Sequence, residues 1–234
     1  MYLGGESMNT IIDRFEIKYL LNKGDYNLLI NKIKDYLVKD KYFKETIYNI
    51  YFDSDDYTLI NRSLDKPIYK EKIRMRSYDK TNDSTNIFLE IKKKYIKNSN
   101  KRRVVISYKD YLDYINYGII PKCDKQIMNE IDYCFKRYKL KPKIKILYDR
   151  LAYSLKGDDT FRITFDTNIR YSNENMDFNN DDNILFMSDY IMEIKTFSGI
   201  PLWLNKILNS LNIYPTSYSK VGKIYEEGFK CLKV

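Results

Sequence analysis

Charged residues stand at every second position on several short stretches, with apolar residues between them. These are Arg14-Phe15-Glu16-Ile17-Lys18, Lys72-Ile73-Arg74-Met75-Arg76, Glu90-Ile91-Lys92, Arg162-Ile163-Thr164-Phe165-Asp166 and Glu193-Ile194-Lys195. In a β-strand residues two apart share a face, so each stretch separates its charges from its oil. Arg74 and Arg76, two apart, would present side-by-side guanidinium forks, each able to grip phosphate oxygens in pairs. A carboxylate among so many cations either neutralises a neighbour or holds magnesium or manganese, ions that take oxygen ligands and share them with phosphates. For Glu16 and Glu90 these two uses balance; for Glu193 the metal is favoured. A half-exposed antiparallel sheet also alternates. The same habit on five stretches, built from Arg, Lys and Glu rather than Ser, Thr and Gln, favours a sheet curled with its charged face inward. Such a cationic tunnel suits a polyphosphate chain and its metal ion.

Further cations lie at Arg62, Arg150 and the run Lys101-Arg102-Arg103, which is either a solvated hairpin end or the lining of a tunnel mouth. Ser217-Tyr218-Ser219-Lys220 precedes the final helix. Serine there caps the helix, and the outward N–H groups with Lys220 would make a phosphate site; capping alone is the plainer reading.

The elements that must position these residues follow from periodicity. Alternation predicts strands over Ile11–Leu21, Thr46–Phe52, Ile68–Tyr78, Asn86–Ile96, Arg102–Ser107, Lys143–Ser154, Phe161–Tyr171 and Asp189–Thr196. Helical spacing predicts helices over Tyr26–Val38, Lys109–Tyr117, Cys123–Tyr138, Pro201–Asn209 and Ser217–Phe229, with a short capped turn over Asp53–Arg62. Asp79 to Ser84 is the strongest hairpin connector, and the Asn- and Asp-rich Ser172–Asn183 reads as a mobile surface loop. Hairpin-connected strands with helices inserted between them define an α+β fold on an antiparallel sheet or barrel. No linker divides the chain, so residues 1–234 are expected to form one domain. Residues 1–8 are expected to be disordered or a non-native start, since the Gly-Gly-Glu codons can spell a ribosome-binding site ahead of Met8.

Composition removes several chemistries. There is no histidine, hence no Ser-His or Cys-His nucleophile and little zinc chemistry. The three cysteines, Cys123, Cys134 and Cys231, lack metal-site spacing and point to a reducing compartment. With no apolar run near the roughly 20 residues of a membrane helix and no signal-peptide core, the chain reads as cytoplasmic. The net charge of +9 favours anionic partners without choosing among them. Nucleic acid ranks low, because the cations alternate along strands beside carboxylates. The 24 tyrosines fit a core edge with hydroxyls reaching partners, though genomic base composition explains them as well.

Taken together these residues resemble the catalytic domain of the vacuolar transporter chaperone (VTC) family of polyphosphate polymerases, within the triphosphate tunnel metalloenzymes. The likeness runs in order through Arg14–Tyr19, Tyr51-Phe52-Asp53 with Tyr57 and Arg62, Lys72–Arg76, Phe88–Lys92, Tyr148-Asp149-Arg150, Arg162–Asp166, Glu193–Lys195 and Ser219-Lys220-Val221-Gly222. The resemblance implies an eight-stranded antiparallel tunnel with helices outside. It implies phosphate ligands at Lys18, Arg74, Arg76, Lys92, Arg150, Arg162, Lys195 and Lys220, with Ser219 beside the last. Arg62 and Lys101 or Arg102 align less securely. Glu193, with Glu16 near it, would hold Mn2+ or Mg2+. The implied reaction moves the terminal phosphoryl group of ATP to a growing polyphosphate or a diphosphate seed. Hydrolases of the same superfamily usually carry a glutamate where Arg14 stands, a departure that agrees better with the polymerase branch. A tripolyphosphate or nucleoside-triphosphate hydrolase and a non-catalytic polyphosphate-binding module are the alternatives. The regulatory domain and membrane helices of eukaryotic relatives are not seen in the sequence, so regulation is not carried over, and a membrane partner is left open.

Overall fold

The computed structural model describes residues 15–96, 98–178, 183–184 and 190–228. Expectations for residues 1–8, Arg14 and Cys231 fall outside them.

The strands are β1 (Phe15–Leu21), β2 (Leu37–Asp53), β3 (Tyr69–Ser77), β4 (Asn86–Tyr95), β5 (Asn98–Ser107), β6 (Lys141–Leu155), β7 (Asp158–Ser172), β8 (Asn183–Ile184) and β9 (Tyr190–Thr196). All are antiparallel, in the order β1-β9-β7-β6-β2-β3-β4-β5, with the two-residue β8 beside β7. Among the described residues no ladder joins β1 to β5. The sheet curls instead until side chains meet across the gap: Lys92 of β4 donates to Glu16 of β1 at 3.2 Å. The chain before the last helix runs along the free edge of β1, where Thr216 N donates to Lys18 O at 2.8 Å. The expected eight-stranded tunnel is therefore a curled sheet sealed by side chains and one crossing segment.

Helices α1 (Lys23–Ile33), α2 (Thr58–Leu64), α3 (Tyr108–Tyr117), α4 (Lys125–Tyr138), α5 (Leu202–Ser210) and α6 (Lys220–Gly228) complete the α+β fold. Two apolar layers lie outside the sheet. Ile73, Met75, Leu89, Ile91 and Val104 pack under α3 and α4, while Tyr19, Leu21, Phe165, Met192 and Ile194 pack under α1 and α5. The apolar half of each alternating stretch is thus the outer face. A third cluster is internal: Val221, Ile224 and Tyr225 of α6 meet Ile47, Ile144, Ile146 and Ile191. Helix α6 fills one end of the curl with oil and leaves the other end to the charges.

Short-range signals set several details. Buried Asp53 caps α2, its Oδ1 accepting from Leu59 N at 2.9 Å and its Oδ2 from Ile60 N at 2.8 Å. Gly222 lies where α6 crosses α2, and a Cβ there would stand 2.9 Å from Leu64 Cδ2, so that leucine would have to shift.

Two expectations need correction. The helix expected to reach Val38 ends at Ile33, and after a short 3-10 turn β2 begins at Leu37. The charged run Leu37–Glu45 carries no strand alternation, and its pairing with β6, Leu37 opposite Leu155, decides its state. Of the mobile loop expected over Ser172–Asn183, the described residues 173–178 are anchored instead, and residues 179–182 lie outside the described residues. Phe178 is buried against Tyr48, Met176 packs on the same cluster, and Lys145 Nζ donates to Asp177 O.

Candidate functional site

Because Ile163 and Phe165 pack outward, Arg162, Thr164 and Asp166 of β7 must face the inside of the curl. The same alternation turns Glu16 and Lys18 (β1), Lys72, Arg74 and Arg76 (β3), Glu90 and Lys92 (β4), Lys101 and Arg103 (β5), Tyr148 and Arg150 (β6), and Glu193 and Lys195 (β9) inward. Cross-strand register agrees: Lys72 stands opposite Lys92, Arg74 opposite Glu90, Lys92 opposite Lys101 and Lys195 opposite Arg162.

Four carboxylates hold these cations. Asp166, fully buried, takes Arg150 in a fork at 2.6 and 2.8 Å and Lys220 at 2.6 Å. Burial works to raise its pKa, yet the two cations hold it down to about 2. Glu90 accepts from Arg74 Nε at 2.7 Å, pairs with Lys101 at 2.5 Å and has Arg76 at 3.9 Å. Burial is again outweighed, by Arg74 first, and Glu90 is held at about 2. Glu193 pairs with Lys195 at 2.7 Å and has Lys18 at 3.8 Å. Against the burial that would raise it, Lys195, Lys18 and Arg150 keep it well below the ordinary carboxylate range. Glu16 lies between Lys18 at 3.3 Å and Lys92 at 3.2 Å. Its pKa is lowered although burial and Glu193 oppose this, the cations Lys92, Lys18 and Lys195 prevailing.

The cations are consequently aimed before any ligand arrives. Arg74 also donates to Tyr51 Oη at 3.1 Å, and Arg76 Nε to Asn49 Oδ1 at 3.3 Å. Tyr148 lies beneath two cations, Lys220 Nζ being 4.4 Å and the Arg150 guanidinium 5.3 Å from its ring centre. Burial would raise both tyrosines, but Arg74 beside Tyr51 and Arg150 beside Tyr148 pull them below their usual value. Lys72 donates to Ser219 Oγ at 2.9 Å, and burial lowers it to about 8. Burial likewise lowers Lys101 to about 8 in spite of Glu90.

Of the residues singled out from sequence, Glu16, Lys18, Arg74, Arg76, Lys92, Lys101, Arg150, Arg162, Glu193, Lys195, Ser219 and Lys220 come together here. Arg162 stands at the rim, its Nε 2.9 Å from Asp40. Two residues do not join. Arg102 has the outward parity of β5 and bonds Glu130 of α4 at 2.9 Å, beside Lys93. Arg62, exposed on α2, reaches Tyr138 Oη at 3.5 Å. Ser219 caps the helix, accepting from Gly222 N at 3.2 Å, and also accepts from Lys72 within the site. Lys72, Asp166, Tyr51 and Tyr148 belong to the site without having been assigned to it. All lie inside the quoted motifs; for Lys72, Asp166 and Tyr148 parity with the arginines was the available signal, while Tyr51 has no arginine in its motif.

A divalent ion fits this donor set only in part. Among the described residues no three His, Cys, Asp or Glu side chains gather as a cage. Glu193 and Glu16, sharing Lys18, offer hard oxygens, and phosphate oxygens would supply the rest, as magnesium and manganese accept.

An inward cationic face on a curled antiparallel sheet is the arrangement that the resemblance to the triphosphate tunnel metalloenzymes implied. Solved structures agree in fold: a putative adenylate cyclase from Bacillus halodurans (TM-score 0.57, 16% identity, 91% of this chain and 96% of that one) and the PH1819 protein of Pyrococcus horikoshii OT3 (TM-score 0.50, 17% identity, 92% and 99%). The chain belongs to the VTC domain family, whose model matches residues 13–232. Vacuolar transporter chaperone complex subunit 4 of Trypanosoma brucei brucei is 26% identical over 204 residues, covering 68% of this chain and 26% of the relative. Subunit 4 of Schizosaccharomyces pombe is 25% identical over 240 residues, covering 83% and 33%. The chain thus spans about a quarter to a third of the length of these relatives. No helix among the described residues is long and apolar enough to cross a membrane.

Proposed function

We propose that this chain is a polyphosphate polymerase, moving the terminal phosphoryl group of ATP onto the end of a phosphate chain lying in the tunnel. The observation carrying this reading is the convergence of Arg74, Arg76, Arg150, Lys195 and Lys220 on one inward face, Arg76 held by Asn49 and the others each paired with a carboxylate. Prepositioned charge stabilises a phosphoryl-transfer transition state without reorganisation. The resemblance to VTC polymerases, and relatives named as subunits of a vacuolar transporter chaperone complex, support the same reading and leave a membrane partner open.

The chain's own residues divide the work. Arg74 and Arg76 from β3 and Arg150 from β6 would grip the transferring phosphoryl group. Lys18, Lys92, Lys101 and Lys195 would neutralise the flanking phosphates, and Lys220 with Lys72 would sit against the apolar plug. A bound Mn2+ or Mg2+, held by Glu193 with Glu16 beside it, would offset charge on the donor phosphates. A phosphate terminus is already a nucleophile, so no histidine is required. Water would need a base, and Asp166, Glu90, Glu193 and Glu16 are all tied to cations with lowered pKa values. Glu45, on the inward parity of β2, supports the second reading, a hydrolase. It stands opposite Arg150, and burial raises its pKa against the pull of Arg162 and Arg150.

The test is incubation with ATP and manganese, seeded with diphosphate, with products resolved on a gel stained for polyphosphate. A ladder of long chains, lost in Arg74→Ala and Glu193→Gln, supports the polymerase. Free phosphate without a ladder, abolished in Glu45→Gln, would make it a hydrolase; absence of turnover would leave a polyphosphate-binding module.

A further inference from the structure

Thr164 is the one inward residue of the β7 stretch with no role so far. It is 2% exposed, and its Oγ1 is buried without a hydrogen-bond partner. A buried hydroxyl left alone costs free energy, so native structures supply a partner from protein, water or ligand. Thr164 stands directly opposite Glu193 in the β7–β9 ladder, and both point inward. Facing residues of adjacent strands hold their Cβ atoms about 5 Å apart. Its other neighbour across the sheet is Ala152, fully buried, whose methyl offers the hydroxyl no hydrogen-bond partner. Glu193 is itself unevenly used. Oε1 is taken by Lys195 at 2.7 Å, whereas Lys18 stays 3.8 Å from Oε2, longer than a hydrogen bond. Two under-used oxygens therefore face one another across a strand pair, a carboxylate and a neutral hydroxyl. Both are hard donors, the chemistry of a hydrated divalent cation.

We propose that Thr164 is a positioning residue for the metal: its hydroxyl accepts a hydrogen bond from a water on the cation held by Glu193 and so fixes where that ion sits. The proposal rests on the metal-dependent reading of the tunnel given above. It makes the ion's location a property of the β7–β9 pair rather than of Glu193 alone.

Calorimetric titration of the full chain with tripolyphosphate, with and without manganese, tests this independently of turnover. In the wild type manganese tightens binding. In Thr164→Val, which keeps the shape and removes the hydroxyl, that manganese-dependent gain falls by about tenfold, the usual cost of losing an outer partner of a metal ligand. Thr164→Ser keeps the gain, and the melting temperature of Thr164→Val without ligand does not fall. If Thr164→Val fails to fold, Thr164→Ala carries the same expectation. A full gain in Thr164→Val overturns the proposal, and so does an equal weakening with and without manganese, which would assign the hydroxyl to phosphate. Glu193→Gln separates the two levels. Loss of the gain there but not in Thr164→Val removes Thr164 and leaves the metal reading standing; a gain kept in both removes the metal from Glu193 as well.

Discussion

Replacing Glu90 by Gln preserves shape and removes the charge that restrains Arg74, Lys101 and, at longer range, Arg76. Two estimates of the cost agree. Stripping one partner from a buried ion pair costs about 3–5 kcal/mol, because the other charges stay behind unpaired. Independently, a pKa drawn from the ordinary 4.5 to about 2 corresponds to about 3 kcal/mol of native-state stabilisation. The sign is that of a depressed acid: the contribution is complete above pH 4.5 and disappears as pH falls toward 2. For a chain of this size each 1 kcal/mol moves the melting temperature by about 2–4 °C, so Glu90→Gln should melt about 6–12 °C below wild type at pH 7. Its stability should also fall less steeply with acid, since the group that titrates is gone. Tripolyphosphate should recover more of the melting temperature in the variant than it adds to wild type, because it supplies the missing counter-charge where the two arginines point. Differential scanning fluorimetry from pH 3 to 8, with and without tripolyphosphate, reads all three quantities. A melting temperature within a degree of wild type, or an equal ligand shift in both proteins, would refute the view that internal carboxylates hold the cations in place.

Three further outcomes are expected. Near pH 8 Lys72 is about half neutral, and a phosphate beside it favours its charged form; binding of tripolyphosphate should therefore take up protons, and affinity should fall as pH rises from 7 to 9. Titration calorimetry in two buffers of different ionisation enthalpy measures the uptake, and Lys72→Met should reduce it. Gly222→Ala puts a methyl 2.9 Å from Leu64 Cδ2 and 3.3 Å from Ser219 Oγ and should cost about 1 kcal/mol; Leu64→Ala in the same chain should relieve the leucine's share of that cost, as denaturant unfolding of the double-mutant cycle would read. Arg102→Ala, which loses only the partly exposed pair with Glu130, should cost about 1 kcal/mol or less and leave polyphosphate affinity unchanged in the assay that detects Arg74→Ala.

What the sequence disclosed depended on whether a signal was local. The alternating stretches carried strand identity and facing together, since one parity fixes both. That is why Lys72–Arg76, Arg162–Asp166 and Glu193–Lys195 lie inward as their spacing implied. Arg102 shows the same rule used too loosely: it is one step out of phase with Lys101, and β5 sends it to Glu130 on α4. Run membership suggested the site where parity excluded it. Arg62 failed for a different reason, because a short helix offers no two-residue period and its reach to Tyr138 depends on how α2 docks. Leu37–Glu45 was opaque because its pairing partners lie more than a hundred residues away on β6, a tertiary decision that local propensity does not encode. Asp166 is the instructive case. A carboxylate ending Arg162-Ile163-Thr164-Phe165-Asp166 could have been a metal ligand, a base or a counter-ion, and sequence could not separate them. Its partners do: with Arg150 forked on both oxygens and Lys220 on one, its lone pairs are committed to positioning cations. The site is therefore built less by any one motif than by the packing that sets β6 and β7 against the start of α6 and gathers three separated charges, Arg150, Asp166 and Lys220, into one group.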